Sequence, residues 1–125
     1  MNKILLEVKG ISYSQSTTNA FALLLGENTG KRRLPIIIGQ VEAQAIVMEL
    51  ENIKPPRPLT HDLFVSFAKE FNINMQEAFI DRFIDGVFYA KIIFSDGTQE
   101  KVVDSRTSDA VALALRFRCP IYTTE

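Results

Sequence analysis

The sequence predicts one α+β domain, in which about seven strands form mixed or antiparallel sheet structure and three helices pack on it. The chain has 125 residues, 46% of them hydrophobic and 23% charged, so it can bury a core without disulfides. Several apolar runs are joined by short turns, which favours antiparallel pairing. Three other segments place apolar residues at helical spacing. Two sheets and one strongly bent sheet both fit this pattern.

The first part of the chain predicts three strands and a helix. β-Branched and aromatic residues or continuous apolar runs identify strands at residues 3–13, 20–25 and 33–38. Polar residues 14–19 and the glycine-containing residues 26–30 form the turns between them. Residues 40–51 carry apolar side chains on two faces, which predicts a helix that is buried on more than one side or lies at a subunit contact.

The second helix is predicted from its start signals. Pro55, Pro56 and Pro58 exclude a helix before it. Thr60 is a suitable N-cap, and the helix continues to about Phe71. The flanking hydrophobic residues Leu59 and Phe64 lie at the positions of a hydrophobic staple, and three phenylalanines give an apolar stripe: Phe64, Phe67 and Phe71.

The remaining elements are three strands, a helix and a short final strand. Turn pairs Asp85-Gly86 and Asp96-Gly97 separate the strands. The predicted strands are residues 74–83, 87–94 and 99–104. Residues 107–117 form the third helix. Residues 120–122 form a last strand, which we expect at a sheet edge because Pro120 cannot donate a hydrogen bond to a ladder.

Composition limits the classes of protein that fit. The net charge of −1 does not suggest a dedicated nucleic-acid-binding protein, although it is compatible with a nuclease that touches its polymer locally. Cys119 is the single cysteine, and neither a signal peptide nor a run of about 18 apolar residues stands out in the sequence. We therefore expect a cytoplasmic location and no membrane partner.

Two short segments concentrate the polar residues at predicted helix starts. The first is Arg57 to Asp62, which contains His61, the only histidine. The second is Asp104 to Asp109, with two acids, one arginine and three hydroxyls in six positions. Helix capping explains part of both segments, through Thr60 in one and Ser105, Thr107 or Ser108 in the other. It explains His61 and Arg106 least well, so these segments also predict a site.

Chemical roles follow from the residue types. As a neutral imidazole, His61 could act as a general base. Three acids occupy the starts of the three helices, and together with Asp104 they could bind Mg²⁺ or Mn²⁺ if the helix starts converge. Arginine side chains and free helix-start N–H groups suit a phosphate. The predicted acids are Glu42, Asp62, Asp104 and Asp109, and the predicted phosphate-binding residues are Arg57, Arg106 and Ser108.

Several segments together resemble the bifunctional nuclease family, in order and over nearly the whole chain. The distinctive ones are Arg57-Pro58-Leu59-Thr60-His61-Asp62 and Asp104-Ser105-Arg106-Thr107-Ser108-Asp109, supported by Leu34 to Gly39 and Asp85 to Ala90. The resemblance implies a compact α+β domain, found in bacteria and plants, that is associated with nuclease activity on DNA and RNA. Thr107 stands where the family often has proline. Relatives often continue past this domain into a helical module that binds partners, so we expect partner proteins to contact such an extension beyond Glu125.

Two functions therefore remain open. One is metal-assisted phosphodiester hydrolysis, with His61, Asp62, Asp104 and Asp109 as catalytic residues. The other is a ligand-sensing or protein-interaction domain without enzymatic activity, whose polar cluster binds an anion or is structural. In either case the apolar first helix and the exposed final strand predict a homo-oligomer.

Overall fold

The computed structural model describes residues 3–13 and 20–124, and the predicted turn at residues 14–19 lies outside this range. The predicted elements are all present, with bounds within two residues of those expected. They are β1 (Ile4–Tyr13), β2 (Ala20–Glu27), β3 (Arg33–Gly39), α1 (Gln40–Leu50), α2 (Thr60–Glu70), β4 (Asn74–Ile84), β5 (Val87–Ser95), β6 (Glu100–Arg106), α3 (Thr107–Phe117) and β7 (Ile121–Thr123).

The seven strands form one mixed sheet, in the order β3-β2-β1-β7-β4-β5-β6. All neighbours are antiparallel except β4 and β7, which run parallel. The predicted α+β class is therefore confirmed. The sheet consists of two antiparallel triplets, β1–β3 and β4–β6, which the three residues of β7 join.

The sheet is strongly bent, which decides between the two arrangements that the sequence left open. Strands β3 and β6 are its opposite edges, and six spacings of about 4.8 Å would separate them by roughly 29 Å in a flat sheet. Yet Glu42, just after β3, and Arg106, the last residue of β6, lie only 3.6 Å apart at Oε2 and Nη2. The two edges therefore approach each other at the starts of α1 and α3.

Helix α3 fills the concave side of this sheet. Its middle is made of small and medium apolar residues, which let the sheet, α1 and α2 approach it closely: Ala110, Val111, Ala112, Leu113 and Ala114 are all buried. Alternate residues of the strands face the core, as in β3, where Ile36 and Ile38 are buried and Ile37 is exposed. The starts of all three helices are held in place by this single core.

The position of β7 was predicted wrongly. The strand lies in the middle of the sheet, between β1 and β4, and not at an edge. Pro120 indeed has no N–H group to donate to a ladder, but it immediately precedes the strand, which begins at Ile121. It contributes only its carbonyl, which accepts a hydrogen bond from the Ala78 N–H at 3.0 Å. The missing N–H therefore costs no ladder hydrogen bond.

The helix starts also differ from the expected capping pattern. Thr60 and Thr107 are the first residues of their helices, and the N-cap residues are Leu59 and Arg106, neither of which caps with its side chain. At α2 the Leu59 N–H instead donates to Asp62 Oδ2 at 3.0 Å. A carboxylate in the first turn thus replaces the predicted threonine hydroxyl, since it reaches back to a free N–H group.

Arg116 ties the three helices together. Its side chain is only 5% exposed, and its Nε donates to Asp62 Oδ1 of α2 at 2.8 Å. Its Nη2 donates to the carbonyl of Ala45 in α1 at 3.1 Å, and its Nη1 to that of Ala112 in α3 at 3.0 Å. One buried guanidinium therefore fixes α1 and α2 against α3.

None of the helices in the described part of the chain combines the length and the hydropathy required to cross a bilayer.

We expect Arg116→Met to lower the free energy of unfolding by about 3 kcal/mol, because it leaves Asp62 without its partner and two carbonyls without their side-chain donor. Urea unfolding followed by circular dichroism measures this change. Arg118→Met is the matched control, because Arg118 is exposed and its left-handed backbone (φ 59°) is equally unfavourable for both side chains. Equal losses in the two variants would contradict the proposed tie.

Candidate functional site

Asp109 is the centre of the polar cluster at the start of α3. Its Oδ1 lies 2.9 Å from His61 Nε2 at the start of α2. Its Oδ2 accepts a hydrogen bond from Arg106 Nε at 2.9 Å. The two polar segments that the sequence singled out therefore meet, and a single carboxylate joins the histidine of one to the arginine of the other.

These contacts determine the charge of Asp109. Burial by itself would raise the pKa of this carboxyl group, but the hydrogen bonds from Arg106 and His61 outweigh that effect. The pKa of Asp109 is therefore lowered from its ordinary value of 3.8. The same hydrogen bond raises the pKa of Arg106. At neutral pH the cluster thus contains a carboxylate and a guanidinium, both charged.

An ionised Asp109 also determines the tautomer of neutral His61. A carboxylate can only accept hydrogen bonds, so the proton must lie on Nε2, the atom that contacts Asp109. The other nitrogen, Nδ1, then holds the free lone pair, and it has no hydrogen-bond partner among the described residues. This arrangement of a carboxylate orienting a histidine is common to many general bases.

Arg106 retains hydrogen-bonding capacity beyond Asp109. Its Nη2 lies 3.6 Å from Glu42 Oε2, which is an ion pair rather than a short hydrogen bond. The guanidinium has five N–H groups, of which Asp109 uses one. The side chain is also largely exposed. Arg106 can therefore bind an additional anion without leaving Asp109.

Asp62 belongs to a different site. Burial would raise the pKa of its carboxyl group, but hydrogen bonds from Arg116 and from the Leu59 N–H lower it. Neighbouring residues His61 and Asp62 thus contact opposite ends of α3, at Asp109 and Arg116, which are seven residues or about 10.5 Å apart along the helix. Both oxygens of Asp62 already have partners, so in this structure its visible role is to hold the helices.

The other predicted residues are distributed around the cluster. Asp104 is exposed on β6, opposite Lys91, and borders the same cavity as His61. Ser108 is buried in the first turn of α3. Arg57 is exposed in the loop before α2 and has no hydrogen bond or ion pair with any residue in the described part of the chain. Ser105 does not cap α3; its hydroxyl donates to the Arg106 carbonyl at 2.8 Å.

The predicted metal ligands do not form a ready-made metal site. Within residues 3–13 and 20–124, no three His, Cys, Asp or Glu side chains lie close enough together to hold one ion. Asp62 is paired with Arg116, and both oxygens of Asp109 have nitrogen partners. Each oxygen of Asp109 keeps one lone pair beyond its nitrogen partner, and no second carboxylate among the described residues is grouped with it, so binding of Mg²⁺ or Mn²⁺ stays a prediction.

Two cavities adjoin the cluster. The first, which we name the histidine cavity, has a volume of about 680 Å³ and is lined by residues that include Thr60, His61, Asp104, Arg106 and Asp109. The second, the hairpin cavity, has a volume of about 640 Å³ and is lined by residues that include Phe83, Phe88, Thr107 and Ser108. Glu42 and Arg106 line both cavities, so their ion pair lies between the two.

Sequence reasoning missed the role of Arg116. Its signal was its position between two apolar residues in the last turn of an otherwise apolar helix.

Cys119 is a partly buried residue that takes no part in the polar cluster. Burial raises the pKa of its thiol to about 11, as expected for a packing residue that stays protonated at neutral pH.

The fold and site together define a class of protein: a bent seven-stranded sheet wrapped around a helix, with a carboxylate, a histidine and an arginine joined where the sheet edges meet. A comparison of sequences identifies the family. The profile described as the bifunctional nuclease domain matches residues 23–125. The chain therefore belongs to the bifunctional nuclease domain family, as its motifs had indicated.

Two curated relatives come from two strains of Mycobacterium tuberculosis, and both are described as uncharacterized proteins. Each is 44% identical to this chain over 118 residues, which is 94% of this chain and 70% of the relative. These relatives show that similar sequences occur in bacteria.

Because the folded state lowers the pKa of Asp109, its ionised form stabilises the protein above pH 3.8, and this contribution disappears as the pH falls through the folded value. We expect Asp109→Asn to lower the free energy of unfolding by about 1–2 kcal/mol at pH 7 and by much less near pH 3. Urea unfolding at both pH values tests this. Asp104→Asn, which changes an exposed carboxylate, should have an effect within about 0.5 kcal/mol at pH 7. A constant loss for Asp109→Asn at both pH values would contradict the expectation.

Proposed function

We propose that this protein hydrolyses phosphodiester bonds of DNA or RNA in the histidine cavity. The observation that carries the proposal is the contact of one carboxylate, Asp109, with both His61 and Arg106 in the wall of that cavity. A base and an anion-binding group held at a fixed separation are the two parts that phosphodiester hydrolysis requires. Membership of the bifunctional nuclease domain family supports this reading.

The chain's own residues suggest how the reaction proceeds. Nδ1 of His61 takes a proton from a water molecule, whose oxygen then forms a bond to phosphorus. Arg106 stabilises the negative charge on the non-bridging oxygens with its free N–H groups. The opposite P–O bond breaks, and the leaving alkoxide takes a proton from solvent. Asp109 keeps His61 in the correct tautomer and stabilises the imidazolium that forms.

The other predicted residues have supporting places in this proposal. Asp104 borders the histidine cavity, so it can contact the attacking water or a metal ion that enters with the substrate. Assistance by Mg²⁺ or Mn²⁺ is part of the proposal, and such an ion would supply a lowered pKa of the attacking water. Ser108 and Arg57 would bind phosphates further along the chain of the nucleic acid, whereas Asp62 acts only through the position that it gives to His61.

We expect His61→Ala to lower the rate of cleavage at least about 100-fold, because it removes the general base. Purified protein is incubated with single- and double-stranded DNA and RNA, and the products are separated on gels. Asp109→Asn should also lower the rate of cleavage, because the Asp109 carboxylate no longer holds His61 in the tautomer with its proton on Nε2. Its effect on substrate binding should be smaller. Glu51→Gln, an exposed carboxylate at the other end of α1, is the control and should retain full activity.

Parallel reactions with EDTA or added Mg²⁺ and Mn²⁺ test the metal. Loss of cleavage in EDTA and recovery with one of the ions would support metal assistance, whereas equal rates would exclude it. Equal cleavage by the wild type and by His61→Ala would refute the proposed site, because a contaminating nuclease would then account for the activity.

A second candidate function is protein interaction, and the exposed face of α2 favours it. Leu63, Phe67 and Phe71 follow one another at intervals of four residues, so they form one stripe, and each is more than 60% exposed. Exposed aromatic stripes of this kind are typical of protein contacts. We propose that a second copy of the chain covers this stripe. The homo-oligomer expected from the sequence would then form through α2, because the final strand, on which that expectation partly rested, lies inside the sheet.

We expect Phe67→Asp to shift the mass measured by light scattering from that of an oligomer to that of the 14.1 kDa chain, because a charge cannot be buried in an apolar contact. Ile37→Asp, which changes an equally exposed apolar residue on the opposite side of the sheet, is the control. A wild-type mass equal to that of one chain would refute self-association.

A further inference from the structure

The hairpin cavity is not explained by the cleavage chemistry. It lies where the turn between β4 and β5 reaches beyond the start of α3, opposite the end of edge strand β3. Its outer wall is aromatic: the rings of Phe83 and Phe88 are cross-strand neighbours with centroids 4.4 Å apart. Phe83 is nevertheless 60% exposed. An aromatic ring that is supported by another ring but open on its other side can stack on a flat ligand.

Two further walls offer hydrogen bonds. Residues 35–39 of β3 line the cavity, and β3 is an edge strand, so the backbone groups on its outer side have no partner strand among the described residues. At the inner wall, Thr107 is 96% buried and its Oγ1 has no hydrogen-bond partner within the described part of the chain. A buried hydroxyl without a partner is rare, and Thr107 borders the cavity. The edge-strand backbone groups suit a ligand with polar edges and an apolar face, and the Thr107 hydroxyl would be reached only if the cavity wall shifts.

One arginine borders this aromatic wall. Arg106 lines the hairpin cavity together with Phe83 and Phe88, and it also lines the histidine cavity. Arg82 and Tyr89 form the neighbouring cross-strand pair, so they lie on the opposite face of the sheet and outside the cavity. An aromatic ring beside an arginine suits a base and the phosphate next to it in a single strand.

We propose that the hairpin cavity holds one unpaired base of a single-stranded nucleic acid, stacked on Phe83, while Arg106 contacts the adjacent phosphate. This inference rests on the proposed function, and it names the substrate class: single-stranded DNA or RNA rather than intact duplex. The cavity volume falls within the range of roughly 300–1,000 Å³ that is usual for small-ligand sites.

The shared ion pair explains why the two cavities belong to one substrate. Arg106 and Glu42 line both, so a nucleotide with its base in the hairpin cavity has its phosphate next to Arg106. His61 lies on the other side of Asp109, which also contacts Arg106. A base inside a duplex is stacked and paired, and it must leave the helix before it can enter a cavity. The duplex therefore binds more weakly, although its phosphates are the same.

The absence of tryptophan from the sequence makes a direct test straightforward. In Phe83→Trp the new indole is the only one, and a base stacked on it quenches its fluorescence. The probe is a phosphorothioate oligonucleotide of about twelve residues, which resists cleavage, in EDTA and at fixed salt concentration. Val102→Trp is the matched control, because Val102 on β6 is 60% exposed, as Phe83 is, but lines neither cavity.

We expect saturable quenching of Phe83→Trp by the single strand, with affinity at least about tenfold higher than for the same sequence as a duplex, and no quenching of Val102→Trp. In a separate competition assay, Phe83→Ala should weaken binding of the single strand about tenfold, as expected for the loss of one stacked base. Phe83→Leu keeps the apolar contact and should fold normally, so an equal loss of affinity in that variant supports stacking rather than a folding defect.

Other results would overturn the inference. Equal quenching by single strand and duplex, or quenching of both tryptophan variants, would mean that the oligonucleotide binds only through its charge. Quenching by an extended peptide but not by the oligonucleotide would identify the cavity as a peptide site along β3. If the wild type cleaves nucleic acid but Phe83→Trp is not quenched, the proposed function stands and the proposed base site is refuted. If Phe83→Trp is quenched but the wild type does not cleave, the base site stands and the proposed function is refuted.

Discussion

The buried guanidinium of Arg116 holds the arrangement on which the site depends. It binds Asp62 on α2, the Ala45 carbonyl on α1 and the Ala112 carbonyl on α3, and it is almost completely removed from water. Burial of a charge is costly unless the charge is paired and its hydrogen bonds are satisfied, so this residue permits very few relative positions of the three helices. Because Asp62 is fixed, its neighbour His61 is also fixed. His61 meets Asp109, which lies two turns before Arg116, at the start of α3.

The bend of the sheet supplies the second part of the site. Edge strands β3 and β6 converge, which places Glu42 beside Arg106 and leaves a cavity on each side of their ion pair. Small residues along α3 make this bend favourable, since the sheet can wrap closely around a helix in which every second residue from Ala110 to Ala114 is alanine. The acidic and basic groups at the helix starts therefore serve as more than caps: they join the two edges of a sheet that does not close by hydrogen bonding.

Local sequence signals identified the elements well, and their failures have physical causes. The prediction for β7 assumed that a proline must lie at an edge, whereas Pro120 contributes only its carbonyl and the strand begins one residue later. Thr60 does not cap the helix because the helix begins one residue earlier than its capping role requires, and the carboxylate of Asp62 instead accepts a hydrogen bond from the N–H of the N-cap residue Leu59. Asp62 looked like a catalytic acid by its motif position, and only its partner Arg116, 54 residues away in sequence, reveals its structural use.

The sequence alone determined the α+β class, the order of the elements, the family and the two polar segments, because each follows from local periodicity, turn chemistry or a short motif. The tertiary structure decided that one bent sheet replaces two, that His61 and Arg106 share Asp109, and that Asp62 faces the opposite way. Those outcomes depend on side chains far apart in the chain and on the curvature of the sheet. A single sequence contains no local signal for either, so the helix starts could be predicted but their meeting point could not.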